Sequence, residues 1–163
     1  MYKNLNNFAF IDSQNLNLGI QTMGWKLDFQ RFFVYLQEKY GIAKAYLFIG
    51  YIPENQAMYT ALQEYGYVLI FKPILRYNTG IVKGNIDAEL VLQAMIDYQQ
   101  YNKAIIISSD GDFYCLVDYL YKQNKLGLVL SPSKNKCSAL LQKAAREKIK
   151  YIDNLKEKLE LRK

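Results

Sequence analysis

Four aspartates hold the chemical potential of this 163-residue chain. Asp12 closes the apolar run "FAFID" (8–12) and is followed by "SQNL" (13–16). Asp110 and Asp112 stand in "SSDGDF" (108–113), directly after a second apolar run, "KAIII" (103–107). Asp87 opens "IDAELVLQAMIDYQQY" (86–101), a segment of helical period. Leu90, Val91 and Ala94 lie three, four and seven positions beyond it, so Asp87 belongs on the inner face of that helix, while Glu89 points elsewhere.

Each acid alone has a plain structural use. Asp110 or Asp112 can cap the following helix, Asp87 is a favourable anion at a helix start, and Asp12 suits an Asx turn at a strand end. Brought together they mean something else. Clustered carboxylates repel one another and hold protons unless cations neutralise them. Mg²⁺ or Mn²⁺ accepts such oxygen ligands, and a pair of these ions activates water and stabilises the leaving oxygen in phosphodiester hydrolysis.

Composition narrows the alternatives. The chain contains no histidine, which removes Ser-His-Asp and Cys-His catalysis, histidine general bases and histidine-bearing zinc sites. Cys115 lies in a helical pattern and Cys137 in a polar loop, without metal-ligand spacing; such usage fits a reducing, cytoplasmic setting. No apolar run approaches the roughly 20 residues of a membrane span, and "MYKNLNNFAF" lacks the apolar core of a signal peptide. Residues 134–163 carry ten Lys/Arg against four acids, whereas residues 1–133 carry eleven of each, so the whole net charge of +6 sits in the C-terminal part. That suits a phosphate backbone, a solvated helix, or a contact between copies in a homo-oligomer.

The elements that must position the acids follow from periodicity. Strand-length apolar runs fall at 8–12, 44–50, 67–74, 104–108 and 125–130, with a short edge strand at 148–153. Helical segments fall at 28–41 (N-cap Asp28, stop at Gly41), 54–66, 86–101 (N-cap Asn85), 112–124 and 137–145. A polar loop spans 75–85, and 154–163 reads as a frayed basic helical tail on a domain of residues 1–153. Alternation of strand and helix predicts an α/β fold: a three-layer α/β/α sandwich with a Rossmann-like parallel sheet of about five strands, order 3-2-1-4-5. The sheet then reverses direction between its first and fourth strands, where ligands bind beyond the carboxyl ends. Asp12 and "SSDGDF" stand at those two ends.

The set "IDSQNL" (11–16), "KGNIDAELVLQAM" (83–95) and "SSDGDF" (108–113) resembles the NYN domain, LabA-like branch, of the PIN-like nuclease superfamily. "LLQKAAREKIKYIDNL" (140–155) is similar to the end of that domain, and the likeness covers about residues 8–155. The resemblance implies a PIN-like fold and metal-dependent RNA cleavage. It places the acidic metal and catalytic set on Asp12, Asp87, Asp110 and Asp112, with Asn15 and Lys83 at the motif's asparagine and lysine. Asn85 stands where the family often has an acid, and Gln93 where it often has an aspartate.

Other residues offer substrate contacts. Asn15 can orient Asp12, contact a phosphate, or serve its own loop backbone. Ser108 and Ser109 can bond a carboxylate or a phosphate, or simply start a helix. Arg76 and Lys83 flank the loop before Asp87 and could hold a phosphate, with Tyr77 stacking a base; solvated surface charge is the alternative. The expectation is a ribonuclease using Mg²⁺ or Mn²⁺: in-line attack of an activated water on phosphorus, no side chain as general base, and a 5′-phosphate product. The alternative is a catalytically weak RNA- or protein-binding module on the same fold. A nucleotide or phosphosugar hydrolase ranks last, because no glycine-rich phosphate loop appears.

Overall fold

A computed structural model describes residues 3–73, 75–76, 82–83 and 86–162. Its centre is a parallel sheet of β1 (Asn7–Asp12), β2 (Ile42–Tyr51), β3 (Val68–Pro73), β6 (Ala104–Ile107), β7 (Leu126–Ser131) and β8 (Ile149–Tyr151). The strand order is β3-β2-β1-β6-β7-β8, so the direction of winding reverses between β1 and β6. Ile11 is paired with Ile107 in the register there, which sets Asp12 level with Ser108.

Period-two alternation divides the core. Ala9, Ile11, Leu47, Ile105, Ile107 and Leu130 face one side, beneath α1 (Ser13–Thr22), α2 (Phe29–Tyr40) and α3 (Gln56–Tyr65). Phe8, Phe10, Phe48, Ile106 and Val129 face the other, beneath α4 (Asp87–Ile96), α5 (Tyr114–Lys122) and α6 (Ala139–Ala145). All six residues of β1 are buried, as a strand covered on both faces requires. Asp28 caps α2 by accepting from the N–H groups of Gln30 and Arg31, and Gly41 ends it at φ +61°, a conformation glycine adopts without strain.

The sandwich and its central order agree with the pattern of the sequence, and the short segment near 150 completes a sixth strand. Three details differ. Residues 13–22 form helix α1, which the sequence pattern left unassigned; only Leu16, Ile20 and Ser13 are buried in it, and its Asn and Gly residues are weak helix formers. Helix α4 ends at Ile96 rather than 101: the Tyr101 hydroxyl donates to the Ala94 carbonyl and the Tyr46 hydroxyl bonds Asp97, tying down the chain beyond the helix. Within the expected loop, β4 (Leu75–Arg76) pairs antiparallel with β5 (Val82–Lys83).

Near the C-terminus, α7 (Lys156–Leu159) is a single helical turn. Leu159 is fully buried with Leu27 and Ile152, and Glu160 bridges Leu27 antiparallel. Apolar anchoring therefore reaches into the basic segment.

Candidate metal centre

The site is built from the last residue of β1 upward. Asp12 is only 5% exposed. It is also the N-cap of α1: one carboxylate oxygen accepts the Asn15 N–H at 3.2 Å, satisfying a donor the helix cannot pair internally. The other oxygen accepts from the Ser108 hydroxyl at 3.3 Å, across the switch point. Ser108, fully buried, accepts in turn from the Asp110 N–H at 3.0 Å. One serine thus couples the end of β1 to the loop that carries Asp110.

Asn15 makes a second clamp across the same gap. Its Oδ1 accepts from both the N–H and the hydroxyl of Ser109, at 2.8 and 3.0 Å. Asp110 caps the turn Gly111–Phe113 by accepting the Asp112 N–H at 2.9 Å. Gly111 has a steric reason to be glycine. A Cβ there would collide with the side chain of Ser138, the N-cap of α6, whose own N–H donates to the Ser109 carbonyl at 3.1 Å. Asp110 therefore serves as cap and as a wall of the site together.

Asp12, Asp87 and Asp110 converge, with one carboxylate oxygen of each lying within 4.8 Å of the others. Asp112 is exposed at the rim of the same cleft, where its carboxyl hydrogen-bonds Asp87. The cleft measures about 350 Å³ and is completed by Gln14, Asn15, Leu18 and Ile86. Burial first, and then the charge of Asp110, raise Asp12 from 3.8 to about 6, against the lowering effect of the Asn15 and Ser108 hydrogen bonds. Asp87 also rises to about 6, through burial and then the charges of Asp110, Asp12 and Asp112. The cluster resists its own ionisation, and a hard cation relieves it. All donors are carboxylate oxygens, a set that suits Mg²⁺ or Mn²⁺ and not a soft metal.

The remaining sequence-chosen residues divide. Ser108, Ser109 and Asn15 are gathered at the site, with hydrogen bonds directed at one another and at the Asp12 carboxylate. Arg76 and Lys83 belong to the β4–β5 pair, but their side chains, and all of Tyr77 and Asn85, lie outside the described residues. Gln93 hydrogen-bonds the Tyr46 hydroxyl, which also bonds Asp97, and does not line the acidic cleft. Glu89 is ion-paired with Lys72 at 3.8 Å. Gln14 and Leu18 went unnoticed in the sequence because α1 did; the four-residue spacing of Leu16 and Ile20 was its available signal.

A parallel α/β sandwich with an acidic cleft at its switch point defines the class. The NYN domain family profile matches residues 8–153, and the chain belongs to that family. It is 28% identical over 121 residues to the low amplitude and bright protein LabA of Synechococcus elongatus. That alignment covers 68% of this chain and 65% of LabA, so the likeness spans less than two thirds of the relative. The fold is similar to the crystal structure of a protein of unknown function from Vibrio parahaemolyticus, with TM-score 0.79, 20% identity and 99% of each chain covered. No helix among the described residues is long and apolar enough to cross a membrane.

Proposed function

We propose that the chain is a metal-dependent ribonuclease that hydrolyses RNA phosphodiester bonds at this cleft. The observation that carries the reading is the convergence of Asp12, Asp87 and Asp110 at the switch point of an NYN-family fold. These three residues would hold Mg²⁺ or Mn²⁺, with Asp112 at the rim. Bound there, such an ion polarises a phosphoryl oxygen and lowers the pKa of a coordinated water. The chain's own part is positional. Ser108 fixes the Asp12 carboxylate through its hydroxyl, and Asn15 fixes the loop of Asp110 through Ser109. Burial keeps Asp12 out of bulk water, where its charge would be screened.

The test is cleavage of single-stranded RNA by the purified chain with Mn²⁺, compared with Asp110→Asn. Loss of about 100-fold or more in rate is expected, with 5′-phosphate ends on the wild-type products. Undiminished cleavage by the variant defeats the reading. Binding without cleavage in Mn²⁺ would favour an RNA-binding module, for which the departures at Asn85 and Gln93 speak.

A further inference from the structure

A second cavity, of about 400 Å³, lies beside the carboxylates over the carboxyl end of β2, between α1 and α3. Helix α1 is the partition. Asn15 and Leu18 face the acidic cleft, Ser13 and Asn17 face the second cavity, and Gln14 borders both. Ile86, immediately before Asp87, borders both as well. The two spaces are therefore contiguous, one acidic and one lined, among the described residues, by uncharged side chains.

The lining chemistry is distinctive. Among the described residues no Lys, Arg, Asp or Glu contributes to it. The floor is Phe48 and Tyr59, both almost wholly buried. It is a fixed floor, since the Tyr59 hydroxyl accepts from the Ile52 N–H and donates to the Gly50 carbonyl. The accessible wall includes Met58, 44% exposed, with half-buried Ile49 and Phe29. Three amides, Gln14, Asn17 and Asn55, contribute to the lining. Asn55 stands at the N-cap position of α3 yet makes no side-chain cap bond, so its amide is not spent on the helix.

An uncharged slot with apolar and thioether walls and amide groups suits a flat heteroaromatic ring. Its faces pack against apolar side chains, and its edge donors and acceptors meet amides, which both give and accept hydrogen bonds. Among the described residues a phosphate finds no cation there, and an acidic peptide finds no counter-charge. We propose that this cavity receives an unstacked nucleobase of the RNA strand whose phosphate lies at the Asp12–Asp87–Asp110 cluster, a proposal that rests on the ribonuclease reading. It makes the enzyme selective for single-stranded RNA, because a base held in a duplex cannot turn into the slot.

The test compares a fluorescein-labelled oligouridylate with an abasic ribose-phosphate oligomer of equal length. Binding to the full chain is measured by anisotropy in Ca²⁺, with recovery of intact oligomer checked. Wild type is expected to bind the oligouridylate on the order of tenfold more tightly than the abasic oligomer. Met58→Ala, and separately the double change Asn17→Leu with Asn55→Leu, should each reduce that preference severalfold and leave abasic binding unchanged. Circular dichroism confirms that each variant folds. Equal affinities for the two oligomers, no binding of either, or variants that keep the full preference overturn the base slot. Cleavage in Mn²⁺ on the same samples separates the two readings. An active enzyme with equal affinities sinks the slot alone, and base-dependent binding by a chain that never cleaves sinks the ribonuclease alone.

Discussion

Replacing Asp12 by asparagine should stabilise the metal-free protein at neutral pH, although it removes a buried polar partner. Asp12 titrates near 6 in the folded chain against 3.8 when exposed, with burial the leading cause. Between those two values the native state binds more protons than the unfolded state, so stability falls as pH rises through the window. Above about pH 6 the whole penalty is present. A difference of about 2 pKa units corresponds to about 3 kcal/mol. Asparagine keeps the shape and can still accept the Asn15 N–H, but it disturbs the Ser108 hydrogen bond at a cost of about 1 kcal/mol. The net gain is then about 2 kcal/mol, or about 4–8 °C in Tm for a chain of this size.

The assay is thermal unfolding in EDTA from pH 3.5 to 8, repeated with Mn²⁺. The variant should melt higher than wild type at pH 7.5, and the advantage should vanish near about pH 4.5 and reverse by about 1 kcal/mol well below pH 4. With Mn²⁺ at 100 times its Kd the wild type gains about 2.7 kcal/mol that a site lacking one ligand does not, so the order should reverse or close. A variant that is less stable than wild type at pH 7.5 in EDTA refutes the electrostatic argument. A stabilised variant with undiminished Mn²⁺ response refutes Asp12 as a ligand.

Two further perturbations probe the supports of the site. Asn15→Ala removes both bonds to Ser109 and should weaken Mn²⁺ binding by about 10–100-fold in calorimetry; an unchanged Kd would show that Asp110 is positioned without this clamp. Leu159→Ala empties a fully buried position and should cost about 2–5 kcal/mol in urea unfolding; a loss below about 0.5 kcal/mol would mean that α7 lies outside the cooperative unit.

Much of the molecule is legible in the sequence because period and punctuation are local. The all-buried run of β1, the cap at Asp28 and the stop at Gly41 each follow from residues a few positions apart. Strand order follows too, since alternating elements and right-handed crossovers leave few topologies. Helix α1 carries that local signal only weakly, and the shortened α4 escapes it. The first is held by a cap from Asp12 and packing of Leu16 and Ile20, and the second stops where Tyr46 and Tyr101 reach across from other segments.

The acids divide in the same way. Sequence determines that Asp12 and Asp110 stand at two strand ends, and that Asp87 occupies the inner face of a helix start. Tertiary structure alone decides that the oxygens of these three approach within 4.8 Å while Asp112 remains at the rim. It also turns Ser108, Ser109 and Asn15 into struts and sets an uncharged slot beside the acidic cleft. The physical reason is that strand ends are fixed by local pattern, whereas distances across a switch point depend on register, helix docking and the long-range hydrogen bonds that join them.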